Sequence, residues 1–207
     1  MKNLYGYVLS HTDSIVEVGG GVGDLSLELI LAGCNVAVYL EPDASKYTVA
    51  VQRLGTKTTC LQCGIEDSSI INAIGESKDI TIVMQDVVEH IPLVVQSAFF
   101  DELRQTGKKI TLIGRTPNLK SPFGLRNSFG DNTHIHRFTD ASLRDFLTQL
   151  GFNKISIKSE PYRITGLVSL VRSIPYYLTL LLIAGAFIAI YGSREGWMAP
   201  NLVFKAE

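Results

Sequence analysis

The chain has 207 residues, 46% of them hydrophobic and 19% charged, with a formal net charge of −1. That length suffices to bury a core without disulfide staples. The composition excludes intrinsic disorder, which needs low hydropathy and high net charge, and the near-zero charge argues against a broad nucleic-acid footprint. Three cysteines, Cys34, Cys60 and Cys63, are too few for a disulfide scaffold or a four-cysteine zinc site and point to a reducing compartment. No apolar core of a signal peptide opens the chain, so no leader is expected. Charge is unevenly spread: beyond residue 163 only Arg172, Arg194, Glu195, Lys205 and Glu207 carry any.

Short β-branched runs alternate with amphipathic stretches, the pattern of an α/β fold with a parallel sheet. A first strand over Ser14–Val18 ends in the glycine cluster Gly19-Gly20-Gly21-Val22-Gly23, and a buried helix continues from Leu25 to a stop at Gly33. Asn35–Leu40 reads as the second strand, closed by Glu41-Pro42-Asp43, with a helix over Ala44–Leu54 and a third strand near Thr58–Gln62. Ile80–Met84 and Lys109–Ile113 read as the fourth and fifth strands. Residues 119–138, rich in Gly, Asn and Ser, read as a long functional loop. A helix capped by Thr139 or Asp140 runs to Leu150, followed by a sixth strand over Asn153–Lys158 and a seventh over Leu202–Lys205.

The glycine cluster is the strongest local signal. Glycines let the backbone approach a ligand and turn sharply into a helix whose first N–H groups face it. The dinucleotide fingerprint needs a glycine where Asp24 stands, and no phosphate-loop motif with Lys-Ser/Thr exists. Acids at Glu17 and Asp24 suit a ligand with a cationic amine instead of phosphates. Glu41, ending the second strand, is placed to accept both hydroxyls of a ribose.

Five segments then occur in order: Glu17-x-Gly19-x-Gly21-x-Gly23, Glu41, Gly64-Ile65-Glu66-Asp67, Asp86-Val87-Val88-Glu89-His90-Ile91 and Gly130-Asp131-x-Thr133-His134. Across residues 10–160 the chain resembles the class I S-adenosylmethionine-dependent methyltransferases, and more closely the group of ubiquinone-biosynthesis O-methyltransferases and bacterial glycan methyltransferases. The resemblance implies a Rossmann-like, seven-stranded, mostly parallel sheet with helices on both faces, and S-adenosyl-L-methionine as cofactor. It implies that Gly19, Gly21 and Gly23 wrap the methionine moiety and that Glu17 holds its amino group. Glu41, beside Pro42, takes the ribose, Ile65 and Glu66 border the adenine, and Asp86 and Val87 line the sulfonium side. With thirteen residues ahead of the first strand, the N-terminal helices that cover the family's substrate are expected to be mostly missing.

Methyl transfer from a sulfonium needs alignment above all, and an oxygen acceptor gains from a base near pH 7. His90, after the fourth strand, and His134, in the loop after the fifth, are the candidate catalytic residues; His136 is near them and His11 lies upstream. Asp86, Glu89 and His90 stand at i, i+3 and i+4 on one helical face and could hold a divalent ion, but capping and cofactor contact account for the acids and no metal is assigned. Cys60 and Cys63 read as structural thiols. Arg115, Asn118, Arg126 and Arg137 around the loop suggest an anionic or sugar-bearing acceptor.

Ser173–Ser193 is uncharged, with Tyr176, Tyr177, Tyr191 and Trp197 near its ends and Arg172 and Arg194 outside it. Because Leu202–Lys205 must return to the sheet, the pattern favours two helices broken at Pro175, the first carrying Ile164, Leu167, Val168 and Val171, inserted between strands six and seven and lying in a membrane interface. The domains are then 1–162 for the methyltransferase, 163–199 for the hydrophobic insert and 200–207 for the last strand. The expected protein is a membrane-associated methyltransferase on the cytoplasmic side, acting without nucleic acid on the oxygen of a small-molecule or lipid-linked acceptor. The alternative is a non-catalytic cofactor-binding or membrane-scaffold protein on the same fold.

Overall fold

In a computed structural model, residues 12–160, 166–191 and 199–207 are described, with only the backbone at 187 and 191. His11, Ile164, Arg194, Trp197 and the Tyr191 ring lie outside the described residues.

Strand β1 (Ser14–Val18) is buried along its whole length, because both faces of the sheet are covered. Its Ile15 packs with Leu25 and Leu29 of helix α1 (Asp24–Leu31), while Val16 and Val18 join the larger core on the opposite face. Strand β2 (Val36–Leu40) leads through Glu41 to α2 (Ala44–Leu54), whose cap Asp43 accepts hydrogen bonds from the Ser45 and Lys46 amides. Beyond it lie a 3₁₀ turn (Gly55–Lys57), β3 (Thr59–Leu61) and α3 (Ser69–Ile74). Next come β4 (Asp79–Gln85), α4 (Leu93–Gln105) and β5 (Lys109–Pro117). Helix α5 (Pro122–Gly130) precedes α6 (Asp140–Gln149), which opens on a capping box between Thr139 and Ser142. Strand β6 (Ile155–Ser159), helix α7 (Leu167–Tyr191) and β7 (Asn201–Ala206) complete the chain.

The seven strands form one sheet in the order β3-β2-β1-β4-β5-β7-β6, with β7 antiparallel to both neighbours and the remaining pairs parallel. The expected mostly parallel sheet with a helical insert before the last strand is the observed one. Strand order reverses between β1 and β4, and the carboxyl ends of these two strands open the crevice where ligands bind in such sheets.

Two expectations are corrected. Residues 119–138 are not all loop: Pro122–Gly130 is helical, begun by the Ser121 hydroxyl, which accepts from the Phe123 amide, and by proline at the first helical position. Gly124, Asn127 and Gly130 lower helix propensity and hide that start signal. The insert is not broken at Pro175 either; α7 runs through it as one helix. Proline removes one ladder bond, and the long Leu-, Ile- and Ala-rich run after it carries the helix past that loss.

Two hydrogen bonds from Asn118, just after β5, fix the approach to α5 against the exit of the insert. The Asn118 amide donates to the Pro200 carbonyl at 2.8 Å, and the Asn118 side-chain amide donates to the Ala199 carbonyl at 3.0 Å. Gly124 nests on the same spot: a Cβ there would collide with the Asn118 carbonyl and sit 2.6 Å from that of Pro200. Since backbone cannot move aside as a side chain does, Gly124→Ala is expected to destabilise the protein by about 1–3 kcal/mol, visible as a lowered melting temperature; an unchanged melt would show this packing to be loose.

Candidate active site

The glycine cluster turns the chain from β1 into α1 with Gly19, Gly21 and Gly23 all at positive φ. Gly19 abuts the turn after β4, where an added Cβ would lie 2.7 Å from Val87 Cγ2. A Cβ on Gly21 would meet nothing within 4 Å, so this residue faces open space. The loop is held from behind. The Gly20 amide donates to the Leu40 carbonyl at 3.1 Å, the Tyr39 hydroxyl donates to the Gly21 carbonyl, and Glu41 accepts from the Gly21 amide at 2.8 Å and the Asp43 amide at 2.9 Å. Tyr39 carries no functional signal in the sequence, since an aromatic in a strand reads as core.

Glu17 lies beneath this loop, 4% exposed, with the Ser26 hydroxyl donating to it. Burial pushes its carboxyl up to about 7; the Ser26 hydrogen bonds oppose this, and the charges of Asp24 and Glu41 add to it. Asp24 itself pairs with Arg53 at 2.6 Å. The loop therefore offers an open glycine, a buried acid that a cation would stabilise, and a carboxylate at the end of β2. Pro42 adjoins Glu41, Ile65 is buried in the main core, and the Glu66 carboxylate folds back over Gly64. The structure brings Glu17, Gly19, Gly21, Gly23 and Glu41 together around one loop at the ends of β1 and β2.

Beyond Val87 the same turn opens a cavity of about 550 Å³ whose lining includes Asp86, Glu89, His90, Arg115, Arg126 and His134. Here Glu89, His90 and His134 each offer a ligand atom within 4.8 Å of the other two, close enough to hold a metal ion. The structure thus exchanges one member of the expected acidic trio: Asp86 turns its carboxylate onto Arg115, and His134 arrives from the far side of α5.

The bonding pattern assigns the imidazole tautomers. His134 Nδ1 is 3.1 Å from the Ser128 carbonyl, an acceptor only, so the neutral ring carries its proton there and its lone pair on Nε2, 3.9 Å from Glu89 Oε1 and 4.0 Å from Asp131 Oδ2. His90 Nδ1 is 2.9 Å from Thr133 Oγ1, whose hydrogen goes to Asp131 Oδ1 at 2.6 Å, so the neutral His90 ring likewise has its lone pair on Nε2. Their rings meet edge to face at 4.5 Å. Glu89 is 1% exposed and neither of its oxygens makes a hydrogen bond of ordinary geometry among the described residues. An acid and two imidazoles with free lone pairs suit a divalent cation or an exchangeable proton. His136, by contrast, packs on Phe138 and Phe146 and lines a separate cavity of about 350 Å³.

Burial pushes the Glu89 carboxyl up to about 7, helped by Asp86 and opposed by Thr116 and Arg115. The folded state therefore holds this proton more tightly than the unfolded chain, and the stability it provides is lost as pH rises from about 4.5 to 7. Glu89→Gln removes that loss. In metal-free buffer the variant should match the parent near pH 4.5 and exceed it at pH 8 by up to about 3 kcal/mol, read from urea melts; a difference independent of pH would contradict the buried carboxyl.

No protein-family model matches the chain, and no curated protein does. Solved structures do. A SAM-dependent methyltransferase from Archaeoglobus fulgidus superposes with a TM-score of 0.66 at 14% identity, covering 99% of this chain and 90% of that one. The methyltransferase domain of bacterial CtHen1-CN gives 0.61 at 14%, covering 99% and 97%. A Burkholderia thailandensis 1,6-didemethyltoxoflavin-N1-methyltransferase, with its substrate and S-adenosylhomocysteine bound, gives 0.58 at 11%, covering 99% and 76%. The chain has the fold of these S-adenosylmethionine-dependent methyltransferases.

Proposed function

We propose that the protein is an S-adenosylmethionine-dependent methyltransferase that methylates an oxygen of an amphipathic or lipid-linked acceptor at the cytoplasmic face of a membrane. The observation that carries the reading is adjacency. The open glycine loop over Glu17 and the cavity of Glu89, His90 and His134 share one wall, the Asp86–Val87 turn. The cofactor supplies a methyl group on a sulfonium. This chain's own part is to grip the amine through Glu17 and the ribose through Glu41, and to hold an acceptor hydroxyl beside Nε2 of His90 or His134. Either nitrogen can take the hydroxyl proton. Glu89, His90 and His134 would equally hold a divalent ion, which lowers the pKa of a bound hydroxyl. Arg126, on the cavity rim, suits an anionic group on the acceptor.

Helix α7 supports the membrane part. Leu167–Ile190 has a mean hydropathy of 2.0 and 6% of its most apolar window is buried, so by length and composition it could cross a membrane. Most of its apolar side chains are exposed, including Leu167, Val171, Leu178, Leu182 and Ile190, while Ser173, Tyr176, Leu180 and Ile183 form a more shielded stripe. The ends of the insert, however, are pinned together, the Glu160 amide donating to the Asn201 carbonyl at 3.0 Å. A helix of 25 residues is roughly 37 Å long, and only residues 192–200 remain for the return. Recrossing some 30 Å of hydrocarbon would stretch that segment almost fully, with bare peptide groups in lipid. An in-plane helix with both stems on one side avoids this.

Glu41→Ala is expected to weaken S-adenosylmethionine binding by about 1.5–3 kcal/mol, the range for losing charged hydrogen bonds. His90→Ala should bind it as the parent does yet release S-adenosylhomocysteine roughly 10²-fold more slowly with membrane lipid extract as acceptor. Parent-like binding by Glu41→Ala would remove the ribose assignment, and absence of any binding by the parent would overturn the function.

Replacing residues 164–198 by a short Gly-Ser linker should give a protein that still binds S-adenosylmethionine but no longer sediments with membranes. A tag after Glu207 should resist protease in intact cells. Cleavage from outside would establish a span instead.

A further inference from the structure

We propose that Arg115 is a positioning residue that fixes the Asp86–His90 turn against both stems of the apolar insert, so that the stems bear directly on the cofactor loop and the cavity. The inference rests on the assignment of that turn to the methyl-transfer site.

Asp86 is the one non-glycine residue at positive φ, 52°, among the described residues. Aspartate tolerates this left-handed backbone better than most L residues, and contacts to its amide and carboxylate hold it there. Arg115 makes both kinds of contact. Its carbonyl accepts from the Asp86 amide at 2.9 Å, and its guanidinium grips the Asp86 carboxylate through Nη2 and through Nε, the latter 3.1 Å from each oxygen. The bend directs the residues after it: Val87 lies against Gly19, and Glu89 and His90 enter the cavity.

The other arm of the same guanidinium reaches the insert. Nη1 is 3.3 Å from Glu160 Oε1, and Asn201 Nδ2 donates to Glu160 Oε2 at 2.7 Å. Glu160 is the last described residue before the insert and Asn201 the first of β7 after it. One side chain on β5 thus joins the Asp86 turn to the entry and the exit of the insert. The guanidinium side chain is 24% exposed and that of Glu160 14%, so the arm to Glu160 is shielded better than a surface pair, while Asp86 is 39% exposed. A lysine could neutralise one carboxylate, but its point charge cannot fork between two that lie in different directions.

Amide hydrogen exchange in the full chain tests this, with Glu160→Gln as the deciding variant because it alters only the stem end of the network. Glu160→Gln should speed exchange at the Asp86 and His90 amides at least threefold and leave β1 and β2 amides unchanged. Arg115→Gln should speed it further and lower the melting temperature. Arg115→Lys should restore the melting temperature without restoring slow exchange, which a purely structural ion pair would not do. Turn amides indifferent to Glu160→Gln, or slow exchange fully restored by Arg115→Lys, would overturn the proposal. Calorimetric titration of the same proteins with S-adenosylmethionine reads the functional assignment separately: a parent that binds none, with the exchange pattern intact, sinks that assignment and not the role of Arg115.

Discussion

The site depends on the register of one strand pair. Parallel pairing of β1 with β4 places Val18 opposite Met84, so the glycine loop and the Asp86 turn leave the sheet side by side and touch through Gly19 and Val87. Everything proposed for function hangs on that contact. The loop side carries the open Gly21 over a buried acid, and the turn side carries Glu89 and His90. A shift of one residue between β1 and β4 would exchange the side chains facing the two cores and separate the two halves.

Two buried carboxyls, Glu17 and Glu89, are the energetic signature of the arrangement. Each is pushed up to about 7 chiefly by desolvation, which the Ser26 hydrogen bonds to Glu17 and the charge of Arg115 near Glu89 offset only in part. A domain built for stability alone would not place acids there. They are the residues a ligand cation would relieve: an ammonium over Glu17, a divalent ion or an imidazolium beside Glu89. Other acids are neutralised by basic partners, with Arg53 on Asp24, Lys120 on Asp140 and Arg115 on Asp86 and Glu160. The contrast separates acids that serve the scaffold from those left for a ligand.

Much of this is legible in the residues. Strand–glycine–helix punctuation marks β1 and α1, the acid after β2 marks Glu41, and the apolar run Leu202–Phe204 marks β7, because these signals are local. What escapes is non-local or masked by composition. His134 stands 44 residues from His90, and only the helical path of α5, hidden among Gly and Asn, brings the two rings together. Arg115 reads as one more loop cation because its two partners come from 29 and 45 residues away. Helix α7 reads as two because Pro175 is a strong local break, and the apolar run around it is stronger.

We propose that the buried Glu17 and the open glycine loop bind S-adenosylmethionine, with its cationic amine at Glu17. Calorimetric titration of the full-length protein with S-adenosylmethionine at pH 7, in two buffers of different ionisation enthalpy, tests it most directly. The ammonium group would favour ionised Glu17, whose carboxyl burial pushes up to about 7, so binding should be accompanied by net proton release. Absence of binding, or binding with no proton release in the parent, would contradict the account.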